Sequence, residues 1–336
     1  MRNSGKALSL AAGLAALGIG AALLFFGSFR RGQTAHASPA PELLSALPVG
    51  APTLVYLDLA AVRASPFYQH RPDKGPIAVP NQDYADFVRS TGFDFEKDLD
   101  RVVVAAWPAP SPKEQRKSVA IAEGRFDRAK IRDYAMRKGK LDRQQGRDVF
   151  LFPTGDRMGF DSVTFLDDHR IALISGPSIA PLFAGHTDAS AADPARERAG
   201  HLDGAAMFAI TRVPPVPDNS APGGAQSSQL ASLARSVQWI TLAARPEGDN
   251  LRVSLEGECD SSTDALQLRS ALEVLRMFGR AGLESRKARD SMNPASLSTL
   301  QTVLSSAEVT QAAERVRILV ELTPDIFRLG EMSKPK

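Results

Sequence analysis

Two stretches about 130 residues apart, "VAIAEGRFD" at 119–127 and "VSLEGECD" at 253–260, follow one pattern. Each reads as a strand that reaches a Glu-Gly pair and then gives way to a helical run. Alone, Gly124 would be open to a phosphate-loop reading. Repeated, Gly124 and Gly257 read as two equivalent strand-to-helix hinges. No G-x-G-x-x-G and no G-K-[ST] occurs in the chain, so the phosphate-loop reading falls.

Two more echoes keep the same order. "TLVYLDLAAV" (53–62) is matched by "AAMFAITRV" (205–213), and "RIALISGPSIAPLFAG" (170–185) by "VRILVELTPDIFRLG" (316–330). Each half also holds a Pro-rich connection, at 65–82 and at 214–228. Three ordered echoes predict an internal duplication, with lobes at 43–187 and 200–331. The expected class is α+β, each lobe an antiparallel sheet with helices on one face.

Local signals fill in the elements. Strands are expected at 53–59, 101–107, 118–123, 148–152, 162–166 and 170–174 in the first half. Asp127 is placed to cap a helix that carries Ile131, Tyr134 and Ala135 on one face and stops at Gly139. In the second half, Pro246–Asn250 is the turn of a hairpin. A helix from about Ser262 to Gly279 places Leu266, Leu268, Leu272, Leu275 and Phe278 near helical spacing. Shorter helical runs follow at 282–289 and 295–304, then the strand "RVRILVEL".

Residues 1–37 stand apart. From Ala7 to Phe29, 23 residues carry no charge. As a helix they would extend roughly 35 Å, enough to cross a hydrocarbon core about 30 Å thick. Arg2 and Lys6 bracket the run on one side, Arg30 and Arg31 on the other. A secretory signal peptide is the alternative, with "AHA" at 35–37 as its cleavage site. The length of the apolar run and the arginine pair before that site favour an uncleaved anchor. A short N-terminal tail left in the cytoplasm puts residues 38–336 outside the inner membrane as a single-pass protein. "SPAPE" (38–42) is the linker.

The pI of about 9.0 misleads about the body of the protein. Residues 1–37 hold four basic residues and no acid, leaving 37 basic against 38 acidic residues beyond them. A near-neutral body argues against a nucleic-acid partner. Within it, residues 113–147 concentrate twelve Lys or Arg against five acids. A solvated face is the plain reading of this run. The functional reading is docking of an anionic partner, an envelope protein or an anionic polymer, through Arg128, Lys130, Arg132, Arg137 and Lys138.

No catalytic, cofactor or metal motif emerges. The histidines, at 36, 70, 169, 186 and 201, show no i, i+4 pair and no H-E-x-x-H. No G-x-S-x-G is present, and "SPKE", "SPAPE" and "SRK" at 285–287 do not make S-x-x-K. The acidic turn at Asp161, Asp167 and Asp168 lacks the ligand pattern of a calcium loop. Asp58, at a strand end, is expected to cap the next turn. Cys259, the single cysteine, reads as a structural, partly buried thiol.

"LPVGAPTLVYLDLAAVRASPF", the "AEGRFD" hinge and "VRILVELTPDIFRLG" together resemble uncharacterised bacterial membrane-anchored extracytoplasmic proteins with duplicated α+β domains. That resemblance implies no activity and carries over no functional residue. The reading that follows is a membrane-anchored, non-catalytic binding or scaffolding module of the cell envelope. Two alternatives stay open: a periplasmic hydrolase with a site between the lobes, and a cleaved, secreted periplasmic binding protein.

Overall fold

Val102–Ala105 and Val119–Ala122 are runs of four consecutive buried residues. Side chains alternate across a strand, so such runs are covered on both faces and belong at the centre of a sheet. The computed structural model describes residues 41–70, 82–109, 116–153, 160–183, 193–214 and 235–327. The expected anchor (1–37), the linker up to residue 40 and most of both Pro-rich connections lie outside that set. Among the described residues no helix is long and apolar enough to cross a membrane. The fold is mixed α+β with antiparallel sheet, and it divides into two compact units.

The first unit comprises residues 1–64 and 74–206. Its strands are β1 (Thr53–Asp58), β2 (Leu99–Trp107), β3 (Lys117–Gly124), β4 (Lys140–Gln144), β5 (Arg147–Pro153), β6 (Phe160–Phe165) and β7 (Arg170–Ser175). They line up as β1-β2-β3-β7-β6-β5-β4, all antiparallel. Its two longer helices are α1 (Gln82–Thr91) and α2 (Arg128–Lys138). Asp127 caps α2 by accepting from the Lys130 amide at 3.1 Å. The buried face of α2 is Ile131, Tyr134 and Ala135, as its period predicts. Tyr134 meets Phe87 of α1 edge-on at 5.3 Å, which ties the two helices together.

The second unit comprises residues 65–73 and 207–336. Its strands are β8 (Met207–Arg212), β9 (Val237–Glu247), β10 (Asn250–Cys259), β11 (Glu308–Ala312) and β12 (Arg315–Leu322), in the order β8-β9-β10-β12-β11. Its two longer helices are α3 (Ser262–Glu284) and α4 (Pro294–Ser306). Leu268 and Leu272 of α3 pack on Val237, Cys259, Val309 and Val316. Elsewhere along α3, Leu266, Val274, Leu275, Met277 and Phe278 are exposed.

The two units share an order of elements. In each, three antiparallel strands lead into a long helix, and the third strand then pairs with a later one. The registers agree as well: Glu123 of the first Glu-Gly pair faces Arg170, and Glu256 of the second faces Arg317.

The compact units do not divide at the expected lobe boundaries. Residues 65–73 belong to the second unit because Phe67 packs against Phe327, Ala244, Leu251 and Leu322. Within that stretch, expected to be irregular, Pro66–Gln69 forms a short helix. Ser65 caps it and Pro66 occupies its first turn, where a missing N–H costs nothing.

Gly257 is not a hinge. It lies inside β10, paired with Ile240 and Val316. Gly124 does end β3, and there a Cβ would fall 2.2 Å from the Asp98 carbonyl oxygen. Gly139 closes α2 for a similar reason, since its Cβ would sit 2.5 Å from the Leu151 oxygen. Helix α3 continues past Gly279 to Glu284.

Candidate functional site

The turn between β4 and β5 begins the site. Gln145 and Gly146 both take positive φ, 51° and 76°, the backbone of a two-residue primed hairpin turn. That turn brings Gln144 opposite Arg147 and Arg143 opposite Asp148. All of β4 except Gln144 is exposed, an edge strand bearing lysine and arginine.

Helix α2 borders the other side. Together α2, the β4–β5 turn and the end of β6 enclose a recess of about 590 Å³. Four arginines line it: Arg128 and Arg132 from α2, Arg143 and Arg147 from the hairpin. Ala129, Phe150, Phe165 and Leu166 supply its apolar surface, and Asp148 and Asp167 its acids.

The four guanidiniums are not equally compensated. Arg128 Nη1 lies 2.5 Å from Asp168 Oδ1, and its guanidinium stands over the Phe165 ring at 5.0 Å. Arg132 Nη1 reaches Asp148 Oδ2 at 3.4 Å. Arg147 Nη1 donates only to main-chain carbonyls, those of Phe165 at 3.3 Å and Leu166 at 3.2 Å. Among the described residues, Arg143 and Arg147 have no carboxylate within ion-pair distance. Asp167 is already engaged by Arg170 Nε at 2.6 Å and the His169 amide at 2.9 Å. Burial alone would raise the Asp167 carboxyl, but those two donors outweigh it and hold the group below the ordinary carboxylate range.

The five basic residues singled out from the sequence separate. Arg128 and Arg132, one turn apart on α2, both line the recess. Lys130 pairs with the capping Asp127 at 3.1 Å. Arg137 lies over Tyr134 at 6.0 Å, and Lys138 approaches Asp86 at 3.8 Å. Sequence reasoning counted Arg143 and Arg147 in the basic run without selecting them. The Gln-Gly turn between them was the signal that would have placed them together.

The remaining candidates have local roles. Asp58 is buried at 5% exposure. Its carboxylate accepts from the Ala61 amide at 2.7 Å and from the Tyr56 hydroxyl at 3.2 Å, the capping role its position predicts. Cys259 is buried in the apolar cluster under α3, and burial, aided by Asp264 and Asp260, pushes its thiol up. His70 is exposed beside Asp249, while His169 and His201 are exposed. Histidines 36 and 186 lie outside the described residues. Among the described residues no group of three or more His, Cys, Asp or Glu is placed to hold a metal.

No family model and no curated protein matches the chain. Its likeness is to solved structures only. Crystal form III of TP0453 is 11% identical with a TM-score of 0.45, covering 86% of this chain and 96% of that one. Form IV gives 12% and 0.43, covering 86% and 95%. Form I gives 9% and 0.41, covering 87% and 96%. A likeness this distant carries no argument about the site, so the functional reading rests on the residues themselves.

Proposed function

We propose that the chain is a non-catalytic binding module of the bacterial cell envelope, held at the inner membrane by residues 7–29. Its working surface is the arginine-lined recess of the first unit, which takes an anionic group of its partner. One observation carries the reading: Arg143 and Arg147 line the recess without a carboxylate partner among the described residues. Arg143 is exposed and Arg147 half-buried, so both guanidiniums stay hydrated in the free protein and are open to a group of opposite sign. Among the described residues the lining contains no serine, cysteine or histidine, and its two acids, Asp148 and Asp167, are engaged by Arg132 and Arg170. That composition supports binding over nucleophilic chemistry. The shared strand order and the Glu–Arg register of the two units support descent from an internal repeat, of which, among the described residues, only the first copy carries the β4–β5 hairpin.

The test is co-purification of the full-length chain from membranes, comparing the unaltered protein with Arg143→Glu/Arg147→Glu and with Lys130→Glu/Arg137→Glu. Loss of the partner in the first variant and its retention in the second is the expected result. The same partner returning with all three proteins would overturn the reading. A full-length chain that stays in the supernatant after ultracentrifugation, its first residues intact, would overturn the membrane assignment separately.

A further inference from the structure

Resting on that reading, we infer that the anionic group is the phosphate of a phosphomonoester, bound by Arg143 and Arg147, with the ester's organic part lying on Phe165 and Leu166. Charge matching selects the phosphate. Of the four lining guanidiniums, Arg128 and Arg132 stand against Asp168 and Asp148, whereas Arg143 and Arg147 have no such partner among the described residues. Two uncompensated positive charges call for about two negative ones. A phosphomonoester carries about −1.5 to −2 at neutral pH, whereas a carboxylate carries one.

Donor geometry agrees. Arg147 is held through Nη1 by two carbonyl oxygens, which fixes its plane and leaves the rest of the fork available. A guanidinium fork held in place fits the tetrahedral array of phosphate oxygens better than a lysine ammonium does. Arg143, on the exposed edge strand, lines the same recess from the other arm of the hairpin.

Size and surface select an ester over a free ion. A recess of about 590 Å³ falls in the range of small-molecule sites and far exceeds what inorganic phosphate fills. Arg128, its guanidinium over the Phe165 ring at 5.0 Å, presents a cationic and aromatic wall against which a ring or sugar lies. A phosphorylated soluble metabolite and a phosphatidic-acid headgroup share this chemistry.

Isothermal titration of the full-length chain in detergent tests the assignment with four probes: phenyl phosphate, inorganic phosphate, benzoate and vesicles carrying phosphatidic acid. Phenyl phosphate is expected to bind at least about tenfold more tightly than inorganic phosphate or benzoate. Arg143→Gln should weaken it by about tenfold or more, the factor expected for one charge-assisted contact. Among the described residues Arg143 makes no side-chain hydrogen bond or ion pair and is exposed, so its loss is readable without a large stability change. Arg147→Gln should weaken it as far, with circular dichroism confirming the fold, and Lys130→Gln/Arg137→Gln should leave it unchanged. Vesicle binding that phenyl phosphate displaces identifies a lipid headgroup as the source; phenyl phosphate binding without vesicle binding identifies a soluble ester. Benzoate binding as tightly as phenyl phosphate would overturn the phosphate assignment while leaving the anion-binding reading intact. Equal affinity for inorganic and phenyl phosphate would overturn the role of Phe165 and Leu166. Binding of no anion at all would overturn both readings together.

Discussion

Gly124 and Gly257 look alike in sequence, yet alanine should act on them in opposite directions. At Gly124 a Cβ would stand 2.2 Å from the Asp98 carbonyl oxygen and 3.1 Å from Leu99 Cα. Both are main-chain atoms, so no side chain can swing aside. To restore ordinary contact the carbonyl must retreat by about 1 Å. That carbonyl accepts from the Arg125 amide at 2.8 Å, and the Gly124 amide itself donates to His169 O at 2.9 Å. Overpacking of this kind costs roughly 1–3 kcal/mol, and a weakened main-chain hydrogen bond about 1 kcal/mol more. Gly124→Ala should therefore destabilise the first unit by about 2–4 kcal/mol. At Gly257 the nearest atoms are Val237 Cγ1 at 3.6 Å and Leu268 Cδ2 at 3.7 Å, ordinary contacts with side chains. Alanine there also narrows the freedom of the unfolded chain, so Gly257→Ala should be neutral or stabilising by up to about 1 kcal/mol.

The two tryptophans make the comparison direct. Trp107 lies in β2 of the first unit and Trp239 in β9 of the second. Urea unfolding followed by fluorescence in a Trp239→Phe background reports the first unit, and in a Trp107→Phe background the second. With a slope of roughly 2–3 kcal/mol per molar, Gly124→Ala should lower the Trp107 midpoint by about 1 M. Gly257→Ala should leave the Trp239 midpoint level or slightly higher. A Gly124→Ala cost below about 0.5 kcal/mol, or equal shifts at both sites, would refute the close-approach argument.

Three other perturbations test different parts of the structure. Arg63 is buried, donating to Leu99 O at 2.5 Å and pairing with Asp100 Oδ1 at 2.6 Å. Arg63→Met should cost about 2–3 kcal/mol in thermal unfolding, and Arg63→Lys should recover less than half of it, because one ammonium cannot reproduce the fork. Burial and the neighbouring Asp264 and Asp260 keep Cys259 as a neutral thiol, so a disulfide reagent at pH 8 should label it slowly in the native protein and rapidly in guanidinium. Labelling at the free-thiol rate under native conditions would contradict that placement. Asp167 has a folded pKa below its unfolded value, so its stabilising contribution is present above about pH 4 and is lost as pH falls through the lower, folded value. Asp167→Asn should flatten the acid limb of the stability profile below pH 4, and an unchanged limb would argue against the His169 and Arg170 contacts.

What the chain reveals of itself depends on whether a signal is local. Strands β1 to β3 are legible because their residues alternate or run apolar within a single stretch. Helix α2 is legible because Asp127 and the Ile131–Tyr134–Ala135 face are local too. Strand β4, "KLDRQ", carries no apolar pattern; it is a strand only because the Gln145–Gly146 turn folds it onto β5. Strand β11 is likewise specified by its pairing with β12. The apolar positions of α3 marked a helix correctly but not its burial, since Leu268 and Leu272 face the sheet while Phe278 remains 66% exposed.

The basic run shows the same limit at the level of function. A helix turns about 100° per residue, so neighbouring charges on α2 must diverge. Arg128 and Arg132 fall on the side facing the hairpin, while Lys130 falls on the other. Counting charges along residues 113–147 therefore merges groups that never meet. It also misses that Arg143 and Arg147 join Arg128 only through a turn. A more telling quantity is compensation. Lys130, Arg132 and Lys138 each stand near a carboxylate, and Arg137 lies against an aromatic ring. Among the described residues, Arg143 and Arg147 are the cations lining the recess that have no carboxylate within ion-pair distance. An anion drawn to this part of the surface finds its unpaired charge there, in the segment where the sequence offered only "RQQGR".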